Sequence, residues 1–115
     1  MNQFDHQRLD VGRVSLEAVV RGEAMVRALP RGYAGLGDQL RRALSGAYLQ
    51  TTEAIARRGR DRAMRLRVAR AEANEAAAAV DALKALGLAG ETEANTLLEL
   101  LSRTCQMLCG LERRT

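Results

Sequence analysis

Apolar residues recur every three or four positions along almost the whole chain, and nowhere do they alternate as a half-buried strand would. The clearest run is Leu66, Ala69, Ala73, Ala76, Val80 and Leu83, stepping 3, 4, 3, 4, 3. That is a heptad seam, and its alanine centre lets a neighbouring helix approach closely. Leu97, Leu101, Thr104, Leu108 and Leu111 keep the same rhythm. Leu36, Leu40, Ala43, Ala47 and Ala54 form a third stripe, with Leu44, Tyr48, Thr51 and Ile55 beside it. The first stripe is broader: Val14, Ala18 and Met25, with Leu16, Val19, Val20 and Val26 around them.

Breaks between the stripes are few. Leu29-Pro30-Arg31-Gly32-Tyr33-Ala34-Gly35 contains the only proline, and Gly87-Leu88-Ala89-Gly90 offers Gly87 as a residue just past a helix end. Gly59, set among arginines, is the third break, because one helix from Leu36 to Leu86 would be too long for a small domain. The pattern predicts four helices, at about 8–28, 36–57, 61–86 and 91–112. Short connections make neighbours antiparallel, so the expected fold is all-α, an up-down-up-down four-helix bundle in one domain spanning 1–115.

The third predicted helix carries a second apolar row, Met64, Val68, Ala71, Ala78, Ala82 and Leu86, interrupted at Glu75. A monomeric bundle needs one stripe per helix. The extra row marks Met64, Val68, Ala71 and Leu86 as a candidate oligomer interface, although alanine also tolerates exposure.

Composition narrows the class further. With 47% hydrophobic, 28% charged and 3% aromatic residues, the chain lacks what a β-sandwich or barrel requires. Cys105 and Cys109, four apart on a helix, are no disulfide framework and read as small core residues. Zinc would need more ligands than these and the lone His6, so no metal or cofactor is expected. No apolar run approaches membrane-spanning length and no secretory leader is visible, which gives a cytoplasmic expectation.

No catalytic constellation emerges. His6 has no nucleophile near it in sequence, the glycines at 35 and 37 lack the rest of a phosphate loop, and Glu72 with Glu75 reads as a solvated helix face. A non-enzymatic protein is expected. The feature with chemical content is arginine: the net charge is +4, yet residues 41–70 hold nine arginines against Glu53 and Asp61. Such a run is ordinarily a solvated face. Density favours more, since 57–70 holds seven arginines with Asp61 as the only acid. Arg58, Arg62 and Arg65 share one helical face, with Arg57, Arg60 and Arg67 near them, and these six are the candidate phosphate contacts. Local acids are too few to pair them, so at least four are expected free. With few aromatics, binding should be led by charge and shape.

Gly35-Leu36-Gly37-Asp38-Gln39-Leu40-Arg41-Arg42-Ala43 resembles the Gly-Leu-x-x-Gln-Leu-Arg-Arg-Ala signature of a bacterial four-helix-bundle protein family. That family includes proteins of rRNA intervening sequences and relatives among the accessory variability determinants of diversity-generating retroelements. Phe4, Leu9 and Val11 fit its opening, Glu53 and Arg57-Arg58 its middle, and Met107-Leu108-Cys109-Gly110-Leu111 its Met-Leu-x-Gly-Leu close. The proline of its Ser-Ile-Pro-Ala-Asn stretch is absent from Gly46–Gln50. The resemblance implies an antiparallel bundle assembling as a homopentamer, and for the retroelement relatives it implies binding a reverse transcriptase and its RNA. Charge, extra apolar row and resemblance together lead to the expectation of a homo-oligomeric, cytoplasmic, basic bundle that binds RNA or a ribonucleoprotein, the resemblance implying the role of a reverse transcriptase accessory. The alternative is an oligomeric protein–protein scaffold with no nucleic-acid role.

Overall fold

Three turns of the chain hold a glycine at positive φ: Gly32, Gly59 and Gly87. A computed structural model describes residues 3–115 and places helices α1 at Asp5–Arg8, α2 at Asp10–Arg27, α3 at Ala34–Ile55, α4 at Gly59–Ala85 and α5 at Glu91–Arg113. No strand occurs among the described residues. Gly59 begins α4 with φ +59°, and Gly87 follows α4 with φ +72°. At that second turn the Leu88 N–H donates to the Leu83 carbonyl at 2.9 Å and the Gly87 N–H to that of Lys84 at 3.0 Å. These paired bonds close the open carbonyls of a helix end and need a left-handed residue, which glycine supplies without strain.

The first predicted helix, at about 8–28, is α2, and a short helix that the pattern did not predict, α1, precedes it. Leu9 is extended (φ −102°, ψ 139°) and separates α1 from α2. Gly12 permits the reversal, since a Cβ there would collide with the His6 carbonyl oxygen. No periodicity announces such a fold-back.

The seam on α4 packs as its spacing requires. Leu66, Ala69, Ala73, Ala76, Val80 and Leu83 are all buried, none more than 1% exposed. Leu97, Leu101, Thr104 and Leu108 answer from α5, and Leu40, Ala43, Leu44, Ala47, Thr51, Ala54 and Ile55 from α3. Thr51 and Thr104 enter the core by bonding their hydroxyls to carbonyls one turn back, at 2.7 and 2.8 Å. On α2 the expected stripe narrows: Val14, Ala18, Met25 and Val26 are buried and Val19 is half-buried, whereas Leu16 and Val20 stay exposed. The inward place goes to Ser15, whose hydroxyl donates to the Val11 carbonyl at 2.6 Å.

Packing runs between α2 and α3, α3 and α4, α4 and α5, and α5 and α2, the pattern of a helical bundle. Twenty-seven residues give α4 a length of about 40 Å, close to the 43 Å long axis of the molecule. No described helix is long and apolar enough to cross a membrane.

A polar clamp joins α2 to α3 at the far side. Arg41 donates to Glu23 through Nε at 2.7 Å and Nη2 at 2.8 Å, and Arg27 donates to the same carboxylate at 2.9 Å. The bonds from Arg41, then Arg27, hold the Glu23 carboxyl down from 4.5 to about 2. A carboxyl depressed by folding contributes stability above its unfolded value and loses it as pH falls through the folded one. Thermal unfolding should therefore show the parent more stable than Glu23→Gln above pH 4.5, with that advantage shrinking toward pH 2. An advantage unchanged across the window would show that the clamp is not what stabilises the pair of helices.

Candidate nucleic-acid interface

One end of the bundle gathers the start of α2, the end of α3, the start of α4 and the end of α5. Leu9, Ala54, Ile55, Arg62, Leu66 and Leu111 line a single cleft there. A cavity of about 260 Å³ beside it is lined by Leu9, Asp10, Val11, Met107, Gly110, Leu111 and Arg114. The half of the molecule at this end comprises residues 3–16, 46–71 and 102–115. It carries twelve arginines and five acids, a net +7; the other half holds six basic residues and nine acids, a net −3.

Within that half the arginines sort by what they touch. Arg57 spans the α3–α4 corner, donating to Glu53 at 3.1 Å and to Asp61 at 3.1 Å. Arg65 donates to the other oxygen of Asp61 at 3.2 Å. Arg67 and Arg70 share Glu112 on α5, at 2.9 and 3.1 Å. Arg70 also donates to Cys109 Sγ at 3.1 Å, and that bond, backed by Glu112, raises its already high pKa. Arg62 pairs with no acid; its guanidinium donates to the carbonyls of Ala54 (3.1 Å), Ile55 (3.0 Å) and Arg57 (2.7 Å). Those carbonyls belong to the last residues of α3 and the turn after it, Ala54 also accepting the Arg57 N–H at 3.1 Å, so Arg62 acts as the cap of that helix.

The expectation of at least four free guanidinium groups among the six candidates is therefore corrected. Arg57, Arg65 and Arg67 have internal acids and Arg62 has internal carbonyls, because Asp61 and Glu53 each reach across the corner and Glu112 arrives from a distant part of the sequence. Arg58 and Arg60 are exposed and make no side-chain hydrogen bond or ion pair among the described residues. Arg103, Arg113 and Arg114, equally exposed and unpaired, belong to the same half through α5 and were missed from sequence. The Arg113-Arg114 pair at the end of a helix that must return past the start of α4 was the available signal.

The surface pairs do not all bind equally hard. Arg57 is 45% and Arg67 62% exposed, and ion pairs this open are worth at most about 1 kcal/mol. An incoming phosphate can take their place. The Arg62 bonds close a helix end and cannot be exchanged so cheaply.

On the outer face of α4, Met64 (49% exposed), Val68 and Ala71 lie away from the seam and are exposed, as is Leu86 (59% exposed) just past the helix end. Cys105 and Cys109 are half-buried and unbridged, and burial pushes the Cys105 thiol up. Among the described residues no three His, Cys, Asp or Glu side chains stand close enough to hold a metal ion. No protein-family model and no curated protein sequence matches this chain.

Arg62→Gln should lower the unfolding free energy by about 1–3 kcal/mol, the cost of reopening carbonyls met by a charged donor. Arg60→Gln, with no partner to lose, should stay within about 0.5 kcal/mol of the parent. Urea unfolding of the two variants decides between a capping role for Arg62 and a merely solvated one.

Proposed function

We propose that this chain is a non-enzymatic, homo-oligomeric, basic helical bundle of the cytoplasm that binds RNA through phosphate contacts at its arginine-rich half. The observation that carries the reading is the charge division, +7 at one end against −3 at the other. A field of that sign attracts the most highly charged polyanions in its surroundings and releases their counterions on contact. The start of α4 adds to the case. Arg58 and Arg60 stand at the positive end of a 27-residue helix, where their own charge is unfavourable and an anion would be welcome. An arrangement that costs helix stability fits a surface meant to meet phosphates.

The architecture proposed with it is an antiparallel up-down-up-down bundle of α2 to α5. Its support is that Glu23 meets Arg41, Ala54 meets Arg62, and Lys84 and Arg70 on α4 meet Asn95 and Glu112 on α5. Self-association is proposed through the outer row of α4, with five subunits as the resemblance implies. A reverse transcriptase ribonucleoprotein is the partner that the same resemblance implies.

Two measurements test the reading. Light scattering at micromolar concentration should give a mass several times 12.6 kDa, and Val68→Glu should lower it by burying an unpaired charge in the interface. A monomeric parent would end the oligomer claim. Affinity for structured RNA should fall steeply between about 50 and 200 mM salt. Changing Arg58, Arg60 and Arg114 together to Gln should shallow that dependence by about three contacts while leaving the fold intact. A parent with no salt-dependent RNA binding would leave the protein–protein scaffold as the better account.

A further inference from the structure

The few aromatic rings of this chain do not lie apart. Its one Phe, its one His and one of its two Tyr meet on the surface of the arginine-rich half. Phe4 and His6 are near-parallel, 17° apart with centroids at 6.1 Å, and His6 meets Tyr48 edge-on at 6.2 Å. The chain brings them together by the fold-back of α1, which Gly12 alone permits and which packs α1 on both α2 and α3.

Phe4 itself is 73% exposed. A ring kept to anchor α1 would turn its area toward the core, whereas His6 and Tyr48 are half-buried and hold the near side of the group. The phenyl ring is left presented to solvent with the imidazole beside it, and the phenol in turn meets the imidazole, within the half that carries net +7. An exposed flat apolar ring in the same half as the unpaired Arg58 and Arg60 complements a ligand that is itself flat and anionic by turns, an unpaired nucleotide.

We propose that Phe4, braced by His6 and Tyr48, is a stacking platform for an unpaired base, so that the protein prefers RNA with single-stranded positions over continuous duplex. The proposal rests on the RNA-binding reading above and adds to it what charge alone does not give. Phosphates on the arginines hold any RNA. The platform takes a base only where it is already free of its partner, because a base within a duplex stays stacked between its neighbours.

The test uses the full chain, a fluorescein-labelled oligouridylate of roughly twelve nucleotides and a blunt RNA duplex of the same length. Phe4→Ala should bind the oligouridylate roughly 5- to 100-fold more weakly, the loss of one stacked base. Duplex affinity and the salt dependence of both probes should be unchanged. Since Phe4 gives nothing to the core, the variant should fold as the parent does. Phe4→Trp should keep the affinity, and because the chain has no other tryptophan its fluorescence should be quenched as oligouridylate binds. Gly12→Ala, which forces α1 away, should reproduce the Phe4→Ala defect. If the parent binds both probes and Phe4→Ala binds them equally well, or if the Phe4→Trp signal does not change on binding, the platform is overturned and the electrostatic reading stands. If the parent binds neither probe, both fall together.

Discussion

How closely α4 can be approached governs this structure. Ala69, Ala73 and Ala76 have no exposed surface at all, so α3 and α5 come against the α4 backbone with only a methyl group between. Gly22 serves the same end on α2, where a Cβ would strike Leu44 and touch Leu97. Small residues make thin interfaces, and a core with no buried aromatic ring among the described residues and many alanines reaches native density only if its helices stay near one another. The same economy has a consequence outside. With its narrow seam satisfied by two neighbours, α4 leaves Met64 and Val68 exposed away from that seam.

Electrostatics at the basic end follow from a shortage of carboxylates. Asp61 serves Arg57 and Arg65, and Glu112 serves Arg67 and Arg70. Glu53 and Asp61 balance Arg57 and Arg65, whereas Glu112 divided between two guanidinium groups, and Arg58, Arg60 and Arg62 with no acid, leave net positive charge at this end. Local pairing therefore orients the side chains without neutralising the end. The sharing also ties elements together: Glu112 anchors the last turn of α5 to the third and fourth turns of α4, and Asp61 links that helix to the end of α3 through Arg57.

The helices were legible because period and punctuation agree. Every seam residue of α4 is buried, and the Gly87 turn has the bonds its position after the helix calls for. What escaped involves distance in sequence. The short helix α1 lies against Gly12, where only a hydrogen in place of a side chain leaves room for the His6 backbone, a contact that no window of periodicity contains. Leu16 and Val20 fit the stripe by type but lie on the wrong side of it, since the turn at Leu9 and the small Ser15 set the rotation of α2. In the candidate site, charge density was readable and pairing was not. Glu112 stands 45 residues from Arg67, and the three rings at positions 4, 6 and 48 look in sequence like an absence of aromatics.

The uneven charge also constrains how copies can meet along α4. An isologous pair with its axis across that helix would set the basic half of one copy against the acidic half of the other, and the +7 of each basic half would be offset in part by the −3 facing it. A ring of copies related by rotation about an axis along the bundle keeps all the basic halves on one side. Such a ring accumulates repulsion, screened over about 10 Å at moderate salt, and so gains most from a polyanion bound across several subunits. Assembly and RNA binding would then be linked, each raising the free-energy yield of the other. The scaffold alternative carries no such linkage, because a neutral partner does nothing to relieve the crowding of like charge. The mutual dependence of subunit association and polyanion binding is thus a property that the charge division imposes on the ring and not on the opposed pair.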